Sequence, residues 1–297
     1  MGTNCEVEIV SILPTDSAAT AVAVGQNRDR LFIGADGALL VADITNPASP
    51  RWVGGCSLPP GTIKDIGIGD TIVYLAGDNG LQMVDVSHPS HPRALGFYSA
   101  IPDAWGVVMW NPYVYVASRQ GWLSMLEVPN PSSPQEKGRV KLPCPIADVA
   151  RYGNTIWAAT TGRGIAIVHP SDDGRNWRMD PYRPGGETDI TGVMTKNLWV
   201  YATTRDGRLA KIDPSRLVLV HRCDGLGRPV GVAGSGEVIC VAANQNDLWV
   251  IRDRPFGLEI AGHHKMPGEI WQVAASDDRH VMVACGREGV AVLQVRF

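Results

Sequence analysis

The sequence predicts an all-β fold, a seven-bladed β-propeller built from four-stranded antiparallel blades. Two observations predict it. One segment recurs seven times along the 297 residues at a nearly constant spacing, and each copy contains short runs that alternate as β-strands do. A third observation, a match between the start of the chain and the fourth run of a complete copy, predicts how the ring closes.

The repeat is clearest in three segments that share an apolar run, an acidic residue and a proline-rich turn. They are LLVADITNPASPRWVGG at 39–55, LQMVDVSHPSHPRALGF at 81–97 and LSMLEVPNPSSPQEKGR at 123–139. Four degenerate copies follow. The residues that end the apolar run are Asp43, Asp85, Glu127, His169, Asp213, Arg252 and Gln294. They lie 42, 42, 42, 44, 39 and 42 residues apart, a period typical of propellers.

Each copy contains four β-like runs separated by turn residues. In the second copy they are IKDIGIG (63–69), TIVYLAG (71–77), LQMVDV (81–86) and RALGFYSA (93–100). Apolar residues tend to alternate along these runs, which is the strand period. Four antiparallel strands per repeat are the pattern of a propeller blade. We therefore predict a single propeller domain over residues 1–297, with repeats at about 18–60, 61–103, 104–145, 146–187, 188–229, 230–269 and 270–297.

The last copy is incomplete, because it stops after its third run at Phe297. The missing fourth run is at the start of the chain, where CEVEIVSILP (5–14) matches RWVGGCSLPP (51–60), including the closing Leu-Pro. We therefore predict that residues 5–13 form the outermost strand of the last blade. This closure removes the sheet edges that an open array of blades would expose.

The quoted repeats resemble the LVIVD-repeat family. LQMVDVSHPSHP and LLVADITNPASP are similar to its aliphatic run, its acidic residue and its D-[VI]-[ST]-x-P-x-x-P turn. The resemblance is clear in the first three copies and fades in the last four, which lose the Pro-x-x-Pro turn. It implies a β-propeller and little about activity, because the motif belongs to the scaffold.

The composition excludes several classes of protein. Apolar residues make up 44% of the chain and charged residues 19%, which excludes a disordered chain. The formal net charge of -3 lacks the basic excess of nucleic-acid-binding proteins, so no nucleic-acid partner is expected. No apolar run approaches the roughly eighteen residues of a membrane span, so no membrane partner is expected either.

The cysteines and the start of the chain bear on the cellular compartment. The six cysteines are scattered without a C-x-x-C pair, which is typical of free thiols in a reducing compartment. No Lys or Arg precedes the first apolar stretch, which Glu6 and Glu8 interrupt, so it does not resemble a signal peptide. We predict a cytoplasmic protein, and a secreted protein whose leader was removed is the alternative.

Candidate site residues follow from aligning the repeats. The top face is the end where the innermost strand of each blade begins, and ligands of propellers usually bind there. The alignment uses seven anchor residues, Val22, Ile66, Val107, Val149, Val193, Val232 and Val273. One or two positions before these anchors are Lys64, Asp65, Trp105, Asp148, Trp271 and Gln272. Top-face loops add Arg119, Arg163, Arg205, Arg228 and Arg287. We predict that these residues surround one central funnel.

Each group has a structural and a functional interpretation. Asp65 and Asp148 either tie neighbouring blades together through backbone N–H groups or raise each other's pKa and act as a general acid or base. Trp105 and Trp271 either pack between blades or form aromatic walls around a ligand. The arginines are either solvated turn residues or together clamp a carboxylate or phosphate.

Two functions remain open at this stage. The first is binding of a small polar, anionic or aromatic molecule in the top-face funnel, with cofactor-free acid–base chemistry of the lyase, isomerase or cyclase type. The alternative is a non-catalytic protein-interaction platform on the same face. No cofactor is expected, because the chain has no P-loop or dinucleotide fingerprint. No metal site is expected, because His88 and His91 fall in a proline-rich turn on the opposite face.

Overall fold

The computed structural model of the protein describes residues 5–277 and 279–297. Within these residues, 28 strands form seven four-stranded antiparallel sheets. The helical elements in this part of the chain are two short 3₁₀ helices, Pro184–Gly186 and Asn244–Asn246. None of the helices described there has the length and apolar character needed to cross a membrane.

The first four blades each use four consecutive strands. Blade 1 contains β2 (Ala19–Val24), β3 (Arg30–Ala35), β4 (Ala38–Asp43) and β5 (Arg51–Ser57). Blade 2 contains β6 (Ile63–Ile68), β7 (Ile72–Gly77), β8 (Gly80–Asp85) and β9 (Arg93–Tyr98). Blade 3 contains β10 (Ala104–Trp110), β11 (Tyr113–Ser118), β12 (Trp122–Glu127) and β13 (Gln135–Lys141). Blade 4 contains β14 (Ile146–Tyr152), β15 (Thr155–Thr160), β16 (Gly164–Pro170) and β17 (Trp177–Tyr182).

The last three blades complete the ring. Blade 5 contains β18 (Ile190–Lys196), β19 (Trp199–Thr204), β20 (Arg208–Asp213) and β21 (Val218–Cys223). Blade 6 contains β22 (Pro229–Ser235), β23 (Val238–Ala243), β24 (Asp247–Arg254) and β25 (Gly257–Lys265). Blade 7 contains β26 (Gln272–Ala275), β27 (His280–Ala284), β28 (Val290–Arg296) and the N-terminal strand β1 (Glu6–Leu13). The first strand of each blade packs against the first strand of the next, and β26 packs against β2. The predicted seven-bladed propeller is confirmed.

The N-terminal strand closes the ring as predicted. β1 pairs antiparallel with β28, from Glu6 opposite Arg296 to Leu13 opposite Val290. Leu13 is buried in a cluster that includes residues of both blade 7 and blade 1, such as Val290 and Ile44. The strand therefore supplies hydrogen bonds to the edge of β28 and apolar contacts to the junction between the last and first blades.

Burial decreases from the middle of each blade to its rim. β23, with the sequence VICVAA, is buried along its whole length, because the neighbouring blades cover both of its faces. The outer strand β13 alternates between exposed and half-buried residues. The hydrophobic clusters join adjacent blades, as Val41 of blade 1 and Val73 of blade 2 do. The core is therefore a ring of interfaces between blades.

One of these interfaces contains a buried ionic cluster. Asp253 of blade 6 accepts hydrogen bonds from Lys211 at 2.7 Å and Tyr201 at 2.5 Å, and it forms an ion pair with Lys196 at 3.0 Å. The lysine and aspartate side chains are less than a tenth exposed. Burial alone would raise the pKa of Asp253, but hydrogen bonds from Lys211, Tyr201 and Lys196 and the charge of Lys196 lower it overall.

Closure by β1 predicts a local difference in sensitivity to mutation. Leu13→Ala removes a side chain that is 3% exposed, so it should lower the free energy of unfolding by about 2–5 kcal/mol. The matched control Ile12→Ala alters a side chain that is 46% exposed and should cost less than about 1 kcal/mol. Urea unfolding of both variants measures the difference. Equal losses would contradict the packing of this strand.

The buried cluster predicts a large effect of a small change. Asp253→Asn keeps the shape of the side chain but leaves two buried ammonium groups without a negative partner, which should cost about 3–5 kcal/mol. The control Asp180→Asn breaks exposed pairs with Arg178 and His169, in which the aspartate is 44% exposed, and should cost less than about 1 kcal/mol. Unfolding midpoints measure both. A small loss in Asp253→Asn would mean that the cluster is hydrated.

Candidate functional site

A β-bulge shapes the top end of six innermost strands. The register of pairing with the second strand shifts just before the anchor residue. In blade 2, whose anchor is Ile66, the shift lies between Ile63 and Asp65. The equivalent shifts lie at Ala19/Ala21, Ala104/Gly106, Ile146/Asp148, Ile190/Gly192 and Pro229/Gly231. A bulge bends a strand and re-aims its side chains. The residue inside the bulge, such as Lys64 or Trp105, therefore lines the top of the central channel.

After each bulge, the N–H of the anchor residue faces the channel. Val107 lies opposite Val116 of β11, yet its N–H donates to Asp65 of the neighbouring blade. Five anchors donate to side chains in this way, namely Val22, Ile66, Val107, Val149 and Val193. All their acceptors occupy one register position, the residue immediately before an anchor. We call it the bridge position.

Asp65 and Gln272 connect four blades through their bridge positions. Asp65 accepts from its own Ile66 N–H at 2.9 Å and from Val107 of blade 3 at 2.8 Å. Gln272 of blade 7 accepts from Val22 N–H of blade 1 at 2.7 Å and donates to Asp65 at 2.9 Å. This chain of bonds runs from blade 7 to blade 3 around the top of the channel.

Asp148 makes the same kind of bridge between blades 4 and 5. One of its oxygens accepts from Val149 N–H and the other from Val193 N–H, both at 2.8 Å. These contacts support the structural interpretation of both carboxylates, because each oxygen of Asp65 and Asp148 accepts at least one hydrogen bond. Both side chains are half-buried, so they also border the channel.

The enclosure of these carboxylates shifts their protonation. Burial raises the pKa of Asp65, while hydrogen bonds from Val107, Gln272 and Ile66 partly oppose that shift. Burial and the negative charge of Asp65 raise the pKa of Asp148 to about 7, against the bonds from Val193 and Val149. Asp65 has one hydrogen bond more than Asp148, which stabilises its ionised form. Asp148 therefore exchanges a proton near neutral pH.

The bridge and bulge residues enclose a cavity on the axis of the ring, which we call the central cavity. Its volume is about 280 Å³. Six sequence-predicted site residues line it together: Lys64, Asp65, Trp105, Asp148, Trp271 and Gln272. Its walls combine two indole rings with charged and amide groups, the mixture of apolar surface and few polar groups that small-molecule sites use.

A second cavity of about 210 Å³, the rim cavity, shares Trp105 with the central cavity. Arg119, Arg205 and Arg228 line it. Arg163 and Arg287 line neither of the two cavities, although they lie in the β15–β16 and β27–β28 loops as expected. The five predicted arginines are therefore split into a group of three and two separate side chains.

The cations near Trp105 differ in how they are held. Lys64 is 2.6 Å from carboxylates of both Asp78 and Asp103, and its ammonium lies 4.6 Å from the centre of the Trp105 ring. Arg119 stacks over the same ring at 4.1 Å. Lys64 is thus neutralised by two aspartates, whereas Arg119 makes no ion pair with the described residues.

The remaining rim arginines also differ. Arg205 donates to Asp189 at 2.6 Å, so its charge is partly compensated. Arg228 is exposed and forms no ion pair in residues 5–277 and 279–297. It lies in the loop that enters β22, two residues before the bulge residue Val230.

Two features of the site were not predicted from the sequence. The bridging role of Gln272 was not foreseen, although its register matches Asp65 and Asp148. The requirement for small residues at other bridge positions, such as Gly106 and Gly192, was also not predicted. A side chain at these positions would be crowded by neighbours: a Cβ on Gly106 would be 2.9 Å from Val149 Cγ2, and one on Gly192 would be 2.9 Å from Thr203 Oγ1. Aligning all seven bridge positions reveals the alternation of long and small residues.

No cluster of three or more His, Cys, Asp or Glu residues suited to a metal ion occurs in the described residues. All six cysteines are free thiols in the structure. His88 and His91 lie in an exposed turn, where each contacts the serine before it.

Three segments match the family model of the LVIVD repeat: residues 29–57, 60–99 and 102–141. The chain contains LVIVD repeats. The matched segments cover most of blades 1 to 3, and the LVIVD motif contributes the third strand of each and the turn that follows. No curated protein matches the sequence significantly.

Solved structures show the same architecture. A crystal structure of RRP9 WD40 repeats has a TM-score of 0.80 and 10% identity, covering 99% of this chain and 98% of that chain. A structure of U3-55K has a TM-score of 0.78 at 10% identity, with coverage of 99% and 98%. The computationally designed Ika8 protein has a TM-score of 0.70 at 13% identity, with coverage of 97% and 100%. At these identities the similarity shows the fold alone.

The raised pKa of Asp148 predicts a pH-dependent contribution to stability. Between about pH 4 and pH 7 the native protein keeps a proton on Asp148 that the unfolded chain releases, so this contribution is present at low pH and is lost as the pH rises to about 7. The free energy of unfolding of the wild type minus that of Asp148→Asn should therefore decrease from pH 5 to pH 8. Denaturant titrations at both pH values measure it, and a constant or increasing difference would contradict the assignment.

Proposed function

We propose that the protein is a binding module that takes a small polar or anionic molecule in the central cavity of its top face. The observation that carries this proposal is the convergence of two indole rings, a bridge of amide and carboxylate groups, and three arginines on two cavities that share Trp105. The indoles provide flat apolar surface, and the polar groups provide directional hydrogen bonds. The arginines provide positive charge where a ligand enters.

The rim favours an anionic group on the ligand. Arg119 and Arg228 have no carboxylate partner among the described residues, and a guanidinium binds carboxylate or phosphate oxygens with paired hydrogen bonds. Arg119 is also oriented by its stacking on Trp105. A ligand whose anionic end meets these arginines can place its flat part against the indole that both cavities share.

The proposal is binding without acid–base chemistry. Each oxygen of Asp65 and Asp148 already accepts a backbone N–H of its own or the next blade, so a substrate proton would compete with bonds that hold the ring together. Release of Val107 or Val193 would remove a contact between blades. The pKa of Asp148, about 7, would suit a general acid or base, but its geometry supports a bridging role better.

A second candidate is a protein-interaction platform on the same face. Trp271 is 43% exposed and Val230 is 39% exposed, and Arg228 lies in the same region of the surface. Aromatic residues and arginine are enriched where proteins contact one another. In this alternative, the exposed residues would contact a partner protein across the cavity mouth.

The proposal predicts that anionic fragments bind through the rim arginines. Ligand-observed NMR with a set of small carboxylates, phosphates and neutral polar compounds should detect binding of the anionic members, with quenching or enhancement of tryptophan fluorescence. The double variant Arg119→Ala/Arg228→Ala should weaken that binding at least about tenfold, because charge-assisted hydrogen bonds contribute roughly 1.5–3 kcal/mol each.

The matched control is Arg216→Ala, which removes an arginine from the β20–β21 turn, where its side chain is 81% exposed. It should leave binding unchanged. If the double variant and the control behave alike, the arginine clamp is wrong, and if none of the fragments binds, the small-molecule proposal is wrong. A partner protein captured in a Trp271-dependent manner would then support the platform.

A further inference from the structure

The bridge positions follow an alternating pattern with one break. Counting from blade 1, they are Ala21, Asp65, Gly106, Asp148, Gly192, Gly231 and Gln272. Each aspartate accepts the anchor N–H of its own blade and that of the next, so one carboxylate spans blades 2 and 3 and another spans blades 4 and 5. If the alternation continued, a third carboxylate in blade 6 would span blades 6 and 7. The bridge position of blade 6 is instead Gly231.

The backbone around Gly231 matches that of the bridged blades. Val232 lies opposite Val241 and Val273 opposite Val283, in the register that Val107 and Val193 have in blades 3 and 5. The N–H groups of Val232 and Val273 therefore face the channel. Within residues 5–277 and 279–297, neither of them donates to a side chain. Two adjacent channel-facing donors thus lack the bridge that the other pairs have.

The space beside Gly231 is open. A Cβ added there would meet only Val273 Cγ1, at 3.9 Å, whereas a Cβ on Gly106 would be 2.9 Å from Val149 and one on Gly192 2.9 Å from Thr203. Gly231 does not have a positive φ, so its conformation does not itself require glycine. Gly231, Val232 and Val273 all line the central cavity, as does the indole of Trp271.

We propose that a carboxylate group of the ligand occupies the space beside Gly231 and accepts hydrogen bonds from the N–H groups of Val232 and Val273. The inference rests on the proposed binding of a small molecule in the central cavity, but it places the anionic group beside Gly231 and not at the rim arginines. It identifies the ligand class as a small carboxylic acid with a flat body. The carboxylate takes the place that the side chains of Asp65 and Asp148 take between other blades. The flat body lies against Trp271, which lines the same cavity.

The charges around the cavity are compatible with this pose. Asp65 and Asp148 are acidic groups of the same cavity, but both are engaged by backbone N–H groups on other blades. Lys64 also lines the cavity, but Asp78 and Asp103 neutralise its charge, and Arg228 precedes β22 in the adjoining rim cavity. Two backbone N–H groups pointing at one spot make an anion-binding concavity even without a cation in direct contact.

The test uses benzoate as the probe, with benzamide and inorganic phosphate as comparisons. In ¹H–¹⁵N spectra of the wild-type protein, benzoate should shift the amide resonances of Val232 and Val273, while the bridged amides of Val107 and Val193 move less. Benzamide should bind at least tenfold more weakly, because it lacks one acceptor oxygen. Phosphate should shift the amide resonances of the rim residues but leave those of Val232 and Val273 unchanged.

Substitution of Gly231 tests the same geometry independently. Gly231→Asp supplies the missing carboxylate from the chain itself, so it should raise the melting temperature by a few degrees and weaken benzoate binding at least tenfold. Gly231→Ala is the control, because it adds the Cβ without the carboxylate. It should retain benzoate binding within about threefold.

The outcomes separate this inference from the proposed function. If benzoate shifts only the rim residues and its binding depends on Arg119 and Arg228, the binding module stands and the carboxylate site beside Gly231 is wrong. If benzoate shifts the amide resonances of Val232 and Val273 equally in the wild type and in Arg119→Ala/Arg228→Ala, the carboxylate site stands and the arginine clamp is wrong. Absence of any benzoate binding, or shifts at Val107 and Val193 equal to those at Val232 and Val273, overturns the inference. The wild-type spectra decide it even if Gly231→Asp does not fold.

Discussion

Seven innermost strands each present one edge to a central channel, where no further strand can pair with it. The backbone N–H groups on that edge need acceptors, because a buried donor without a partner costs as much as a lost hydrogen bond. Asp65, Asp148 and Gln272 supply acceptors for five of the seven anchor N–H groups, and because each reaches the next blade, the same bonds hold the ring together. Both the stability of the ring and the shape of its cavity depend on this requirement.

The requirement also determines the chemistry of the cavity. Carboxylates that satisfy channel-facing N–H groups must lie in an enclosed place, and enclosure raises their pKa values, as for Asp148. A raised pKa in a cleft commonly marks a functional group. Here the hydrogen-bond partners supply a structural reason for the position of the carboxylate. The perturbed protonation is thus a consequence of bridging, and a catalytic role needs evidence of its own.

Buried polar side chains occur in two different surroundings in this propeller. Around the channel, single carboxylates meet neutral backbone donors next to a cavity, so a ligand can join the same network. Between blades 5 and 6, Asp253 binds two lysines and a tyrosine away from that network. The first arrangement keeps polar groups accessible at the axis, and the second joins blades 5 and 6 within their interface. Because the lysine and aspartate side chains of this cluster are less than a tenth exposed, we assign the cluster to stability and not to recognition.

The sequence by itself determined the architecture. The spacing of the apolar runs predicted seven blades, and the match between residues 5–14 and 51–60 predicted the closing strand. These features are readable because strand alternation and repeat length are local properties of the chain. Alignment of the repeats also placed Asp65, Asp148 and Trp105 near one end of the channel, since equivalent positions in a ring face the same way.

Only the tertiary structure decided which groups meet. Gln272 bonds to Asp65 across 207 positions of the chain, and no local pattern encodes a contact between blades 7 and 2. The same holds for the arginines: Arg228 lines the rim cavity and Arg287 does not, because the lengths and bends of neighbouring loops set their directions. The open space beside Gly231 likewise exists only through the packing of Val273 from the next blade. Periodicity determines the position of a residue within its own blade, whereas contacts across the channel depend on how all seven blades pack.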